Sequence, residues 1–388
     1  MPSSRNPPHS APRRTPGSLG EVAALFLKLG CIAFGGPAAH IAMMRLEVVE
    51  RRRWLSDQEF LDLFAAANLI PGPSSTEMAI FLGYVRVGWP GLILAGALFI
   101  LPAMVMVLAF AWAYVRFGSL PQGEWVLYGI KPVIIAIIAQ ALWELSKSAF
   151  KDWLLAALSI AIIVLYLVGG NVIALLFGAG ALIALVRSAR RGPPSHPAAA
   201  ILGVGSQVAL GVPFSLSTLF LTFLKIGAMT YGSGYVLLAF LRSDFVVHLH
   251  WLTDRQLIDA IAVGQFTPGP AFTTATFIGY LTGGLRGAVL ATLGIFLPSF
   301  VFVAFVYPLI PRLRRSPTVR AFLDGVTAAA LGLMAAVTWQ LGRAAFVDSA
   351  AAVIAILAFG FLLRFRVNSA WLVVGGALLG VANKAILG

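Results

Sequence analysis

Ala67-Asn68-Leu69-Ile70-Pro71-Gly72-Pro73-Ser74-Ser75-Thr76-Glu77 is the stretch on which the reading of this chain turns. Apolar segments flank it at 57–70 and 74–85, each predicting a helix of only about 18–21 Å at 1.5 Å per residue. Proline removes backbone donors and stops a helix, and the glycine between the two prolines permits a sharp turn. The pattern therefore predicts two half-helices, either a re-entrant pair or one broken span. Pro268-Gly269-Pro270 repeats it 197 residues later.

The composition says which solvent surrounds these half-helices. Of 388 residues, 59% are hydrophobic and 11% charged, against roughly 45–50% and about 25% in soluble domains. So few charges cannot cover a water-facing surface, so the chain belongs in a bilayer. Unwound backbone at membrane depth is tolerated only where protein buries it or where it lines a cavity. The net charge of +13 reports membrane topology in such a chain. No basic run is interleaved with aromatics, so nucleic acid is not an expected partner. The single cysteine, Cys31, excludes an internal disulfide framework and a cysteine-based zinc site.

Shifting the chain by 197 residues uncovers a duplication. Phe26-Leu27-Lys28-Leu29-Gly30 falls on Phe223-Leu224-Lys225-Ile226-Gly227, and Trp54-Leu55-Ser56-Asp57 on Trp251-Leu252-Thr253-Asp254. Between Phe26 and Thr76, 17 of 51 positions are identical without a gap. At an offset of 196, Phe81-Leu82-Gly83-Tyr84 meets Phe277-Ile278-Gly279-Tyr280, and Pro102 meets Pro298. Shared apolar composition would not place lysines, tryptophans and proline pairs in register.

The expected organisation is a disordered Pro/Arg-rich tail at 1–18, a transmembrane repeat at 19–188, a polar linker at 189–212 and a second repeat at 213–388. Stretches long enough to cross ~30 Å of hydrocarbon lie near 22–44, 89–116, 125–146, 151–168 and 171–187. Their counterparts lie near 213–240, 287–310, 319–342, 346–363 and 369–387. The fold class is all-α: a polytopic membrane protein of two inverted-topology repeats, each with about five spanning helices plus a broken half-helix hairpin. Inversion follows from charge. An odd number of crossings per repeat puts Arg51-Arg52-Arg53, Lys147/Lys151, Arg187/Arg190/Arg191, Arg312/Arg314/Arg315/Arg320 and Arg364/Arg366 on one side, the cytoplasmic one. The same count leaves the Arg-bearing N-terminal tail on the other side, unless the first segment does not cross fully.

Inverted repeats with broken helices point to a secondary transporter whose site lies at the repeat interface. Helix starts offer unpaired N–H groups and a positive dipole end, an anion site that needs no side-chain charge. That nominates Gly72, Ser74, Ser75 and Thr76 in one copy and Gly269, Thr273 and Thr274 in the other. Asn68 and Gln265 add amide donors just before each turn. Lys28 and Lys225 recur in apolar segments, where a central lysine costs roughly 2.5–3.5 kcal/mol. They either face an anion or snorkel to the membrane edge. The glycine breaks after them, with Gly35 and Gly36 in one copy and Gly232 and Ser233 in the other, would free further N–H groups. Glu77 either closes an S-x-x-E capping box with Ser74 or takes part in coupling. Arg45/Arg242 and Asp57/Asp254 are either a salt-bridged gate or interfacial anchors. Asp62 and Asp259 either titrate with proton movement or pair with helix dipoles.

Little suggests an enzyme. The five histidines are scattered, and His248-x-His250 has no carboxylate at metal spacing. No P-loop is present, so ATP does not drive a cycle within this chain. No cofactor and no metal are expected.

Phe34-Gly35-Gly36-Pro37-Ala38-Ala39-His40-Ile41, the stretch Asn68 to Glu77, Gly264-Gln265-Phe266-Thr267-Pro268-Gly269-Pro270 and Ala275-Thr276-Phe277-Ile278-Gly279-Tyr280 together resemble the chromate transporter family of bacterial inner-membrane proteins. The resemblance runs from about Leu19 to the C-terminus, in a long-chain, two-copy arrangement. Gly232-Ser233-Gly234 departs from it, where three glycines are expected. The resemblance implies export of chromate from the cytoplasm, resistance to chromate, and the proton motive force as energy source. It also implies sulfate as the natural competitor, protons as coupling ion, and a multi-pass place in the inner membrane. A homodimer is among the expectations. The residues themselves say only that the substrate is oxyanion-like. Import or exchange of sulfate is the same-class alternative, and membrane-embedded chemistry on a lipid-linked phosphate is the different-class one.

Overall fold

The computed structural model describes residues 17–118, 120–189, 213–231, 236–307, 316–365 and 369–387. Most of the expected tail (1–16) and linker (190–212) lies outside the described residues. Every regular element among those described is helical.

The first repeat contributes α1 (Leu19–Ile32), α2 (Gly36–Arg45), α3 (Asp57–Ala67), α4 (Ser74–Val87), α5 (Trp89–Phe117), α6 (Pro121–Ala149), α7 (Trp153–Leu167) and α8 (Val172–Ala189). The second contributes α9 (Leu216–Met229), α10 (Leu237–Leu241), α11 (Asp254–Phe266), α12 (Thr274–Val306), α13 (Pro317–Ala345), α14 (Ser349–Arg364) and α15 (Ser369–Leu387). Five helical runs among the described residues are long and apolar enough to cross a membrane: Ser74–Phe117, Gly123–Lys147, Val172–Ala189, Ala271–Val306 and Pro317–Ala345.

The duplication extends to backbone detail. A wide π-helical turn follows α2 at Leu46–Arg51 and recurs at Arg242–His248. Left-handed residues close both loops, Arg53 at φ 52° and His250 at φ 54°. Gly88 separates α4 from α5 at φ 69°, and Gly284 kinks α12 at φ 60°. Residues 274–306 are thus the second copy of the α4–α5 pair, joined across a bend.

The expected spans 22–44 and 213–240 are not continuous helices. α1 stops at Ile32 and α2 starts at Gly36, because Gly35 and Gly36 take φ of 103° and 77° and Pro37 enters the first turn of α2. α9 stops at Met229, with Thr230 as its C-cap. At about 21 Å each, α1 and α9 are too short to cross alone.

The repeats do not pack as two separate halves. α6 of the first lies against α14 and α15 of the second, and its counterpart α13 lies against α7 and α8 of the first. Gly129 meets Gly376 where α6 crosses α15, and the counterpart Gly325 meets Gly180 where α13 crosses α8. A side chain at either crossing would overlap backbone, so these contacts need glycine. α5 and α12 pack on each other across the middle. Contacts that pair i with j′ and i′ with j mark a two-fold relation between the repeats.

Candidate functional site

The two Pro-Gly-Pro breaks lie on this two-fold relation. The Gly72 amide donates to the Thr230 carbonyl at 2.7 Å, and the Gly269 amide donates to the Ala33 carbonyl at 2.8 Å. Thr230 and Ala33 are repeat counterparts, each one residue past the end of α9 and α1. Each break is therefore clamped onto the first helix of the opposite repeat. Pro71, Pro73, Pro268 and Pro270 have no N–H to give, so the glycine amide is what forms the bond. Gly72 sits at φ 136° and Gly269 at φ 89°.

This geometry uses some of the donors expected for an anion. The Gly72 and Gly269 amides are taken by the clamps. Thr76 and Glu77 amides turn back to the Pro73 carbonyl, and Thr273 to that of Pro270. The Thr273 and Thr274 hydroxyls donate to the carbonyls of Pro270 and Ala271, both at 2.8 Å. Asn68 caps α3 and donates to the Phe64 carbonyl at 3.0 Å, and Gln265 is half-buried in the last turn of α11. Ser74 and Ser75 are buried at the start of α4, where first-turn amides have no carbonyl one turn back. Gly35 caps α2 and Gly36 begins it. Gly232 and Ser233 lie outside the described residues.

Both lysines have a carboxylate counter-ion, at the same position of the repeat. Lys28 Nζ lies 2.8 Å from Glu47 Oε1, and Lys225 Nζ lies 2.7 Å from Asp244 Oδ1. Glu47 and Asp244 are repeat counterparts on the π-helical turns. Glu47 also accepts from Arg51 at 2.8 Å and sits 3.4 Å from Arg52. The Lys28 hydrogen bond holds its carboxyl below the usual carboxylate range, against the effect of burial. Three cations thus share one carboxylate at Lys28, and a one-to-one pair stands at Lys225. Each lysine precedes the clamped carbonyl by five residues, about 7.5 Å along a helix.

Arg45 donates to Asp57 at 2.8 and 2.6 Å, and Arg242 to Asp254 at 2.8 and 3.1 Å. The recurring arginines and aspartates are partners in both repeats. The capping box is not where the Ser74-x-x-Glu77 spacing suggested: α4 has no side-chain cap. Real boxes open α3 with Ser56 and Glu59 and α11 with Thr253 and Gln256. Glu77 is left fully buried, with no hydrogen-bond partner at either oxygen among the described residues. Asp62 is half-buried and accepts from Gln58 at 3.1 Å. Its counterpart Asp259 is buried, 3.3 Å from Lys131 Nζ, and accepts from the Tyr114 hydroxyl at 3.0 Å.

Glu47, Asp244, Ser299, Lys131 and Tyr114 escaped the sequence reading. The first two were within its reach, since an acidic residue recurs at the same offset as the lysines. Lys131 sits alone in an apolar segment, which by itself marks a functional candidate. Nothing in the sequence sets Ser299 of α12 beside Gly72 or pairs Tyr114 with Asp259.

Comparison with known proteins agrees with this architecture. The family model described as "Chromate transporter" matches residues 20–185 and again 217–381, one match per repeat. The chromate transport protein of Cupriavidus metallidurans is 36% identical over 98% of this chain and 96% of its own length. The probable chromate transport protein of Synechococcus elongatus is 32% identical, over 94% and 95%. The chromate transport protein of Pseudomonas aeruginosa is 34% identical, over 84% and 82%. No solved structure matches the chain.

Proposed function

The chain belongs to the chromate transporter family, and from that membership we propose that it is a secondary active transporter that exports chromate across the bacterial inner membrane, driven by the proton motive force and conferring chromate resistance. It is a carrier, not an enzyme, with sulfate as competitor and the repeats inverted in the membrane. The observation that carries this reading is the reciprocal clamp, Gly72 on Thr230 and Gly269 on Ala33. It sets both helix breaks at the junction of the repeats, where transporters of duplicated design bind substrate.

In this reading the anion lies between the clamps. The first turns of α4 and α12, with Ser74, Ser75 and Thr76 on one side and Thr273 and Thr274 on the other, face it. Asn68, Gln265, Gly35 and Gly36 stand at the adjoining helix ends. Lys28 and Lys225 supply positive charge, and their carboxylate partners hold that charge while the site is empty. A dianion must then compete with Glu47 or Asp244, which keeps occupancy reversible. Arg45–Asp57 and Arg242–Asp254 act as gates, while Glu77, Asp62 and Asp259 are the candidates for coupling.

The energetics favour export. Each charge moved across 100 mV is worth about 2.3 kcal/mol, so an inside-negative potential drives a dianion outward with about 4.6 kcal/mol. That sustains a gradient above roughly a thousandfold, and entry of one proton in exchange adds about half as much again. The test is labelled chromate flux in reconstituted vesicles under separately imposed potential and pH gradients, with sulfate added as competitor. Flux that ignores both gradients would overturn secondary active transport, and a product other than chromate would overturn the carrier.

A further inference from the structure

Glu77 is the buried group for which the scaffold gives no reason. It lies in the first turn of α4, fully buried, and among the described residues neither carboxyl oxygen has a hydrogen-bond partner. Gly72 shows where they point. A Cβ built on Gly72 would run into Glu77 Oε1 and Ser299 Oγ, so both atoms press on the backbone that forms the clamp to Thr230. Ser299 comes from α12, in the other repeat, and its hydroxyl is also buried without a partner. So is the Thr76 hydroxyl in the same turn as Glu77.

The second clamp is an internal control. Thr274 takes the place of Glu77 there, and its hydroxyl is satisfied by the Ala271 carbonyl at 2.8 Å. Ala103 takes the place of Ser299 and faces Gly269 with a methyl group. The fold therefore builds a clamp of this design without a carboxyl. A buried carboxylate with no donor would cost many kcal/mol, and such a group neutralises instead.

Among the described residues, no cation is turned toward Glu77 to offset that cost. On the elements packed against α4, Glu21 pairs with Arg86, Lys28 with Glu47 and Arg45 with Asp57. His40 bonds the Ala33 carbonyl, Glu59 bonds Ser56, Asp62 bonds Gln58, and Arg116 and Arg286 are exposed. Tyr231, next to the clamped Thr230, is a titratable side chain of the opposite repeat near Glu77.

We infer that Glu77 carries the coupling proton. It is protonated while the Gly72–Thr230 clamp is closed, its carboxyl set beside Gly72 together with the Ser299 hydroxyl, and it ionises only when that clamp opens to water. Opening converts the carboxylic acid to a carboxylate and releases the proton to the aqueous side then exposed. Closing requires a proton to be taken up first. This rests on the transporter reading, and it places the pH sensitivity of the cycle in one clamp of the two.

The experiment combines infrared spectroscopy of the purified protein with vesicle flux. At neutral pH the wild type shows a protonated-carboxyl band that Glu77→Gln removes. In vesicles, Glu77→Gln keeps chromate counterflow, while its response to a pH gradient falls by roughly tenfold or more, within the usual range of a site-to-site coupling. Glu77→Asp restores that response. A wild-type spectrum with no Glu77-dependent band overturns the inference. So does Glu77→Gln with an intact gradient response, or Glu77→Gln that melts normally but has lost counterflow. If wild-type vesicles carry no chromate at all, the transporter reading fails, while the infrared band still reports whether Glu77 holds a proton.

Discussion

The Gly269 amide donates to the Ala33 carbonyl at 2.8 Å, from a backbone at φ 89° that brings the glycine against Ala103. A Cβ at that φ costs roughly 1–2 kcal/mol. It would also sit 2.8 Å from the Ala103 Cβ, an overlap worth about 1–3 kcal/mol in a packed interior. Gly269→Ala therefore lowers the melting temperature in detergent. Ala103→Gly should do so alone, since glycine within a helix costs about 1 kcal/mol relative to alanine. Added to Gly269→Ala, the same change relieves the overlap and restores part of the loss. The double variant is then less destabilised than the sum of the two single changes, a coupling expected of contacting residues, and simple additivity would show that the clamp tolerates a side chain.

The lysine pairs separate a binding charge from a structural one. Lys225→Ala leaves Asp244, 13% exposed at its side chain, without its cation. Losing one partner of a buried pair costs about 3–5 kcal/mol; partial exposure reduces this to about 1–3 kcal/mol. Asp244→Asn in the same chain removes the stranded charge, so thermal stability returns. Chromate flux stays low, because the ammonium is still missing. Recovery of both together would reduce Lys225 to a structural residue.

Much of the architecture was legible because the chain states it twice. The register of Lys28 with Lys225 and of Pro71 with Pro268 located both helix breaks. What the sequence could not supply was the partner across the clamp. Gly72 bonds Thr230, and Gly129 meets Gly376, pairs far apart in sequence that only the interlocking of the repeats brings together. The first span, drawn as one stretch on its apolar composition, is divided at the glycine break that the sequence marks, where Gly35 and Gly36 turn left-handed. Of the two readings open for Glu77, the capping box fails, because the side chain turns toward Gly72 instead of back to the helix start.

The two arginine–aspartate pairs are alike in sequence and unlike in surroundings. Arg45 and Asp57 are 41% and 58% exposed at their side chains, and Arg242 and Asp254 only 15% and 28%. An exposed pair contributes about 0–1 kcal/mol and weakens with salt. Breaking a sheltered pair costs more, because the remaining charge loses its partner away from water. Asp254→Asn should therefore depress stability and flux more than Asp57→Asn, and raised salt should mimic the Asp57 substitution but not the Asp254 one. Equal, salt-sensitive losses at both positions would show that the second pair is as open to water as the first.

Asp259 offers the sharpest contrast with Glu77, since it too is buried but is not alone. Its Oδ1 faces Lys131 at 3.3 Å and its Oδ2 accepts from Tyr114 at 3.0 Å. Asp259→Ala strands the Lys131 ammonium and should cost about 3–5 kcal/mol. Lys131→Met combined with Asp259→Leu removes both charges, and replacing a buried ion pair by apolar groups of similar volume is often neutral or stabilising. Tyr114→Phe in the same chain spares the hydroxyl the loss of its acceptor, which would otherwise cost about 1–3 kcal/mol. The triple variant should melt near the wild type. It should also keep its response to a pH gradient, because the carboxyl assigned to the proton lies at Glu77 and not here. A triple variant that folds and carries chromate but ignores the gradient would move the proton to Asp259, and Glu77 would then be a buried acid with no part in the cycle.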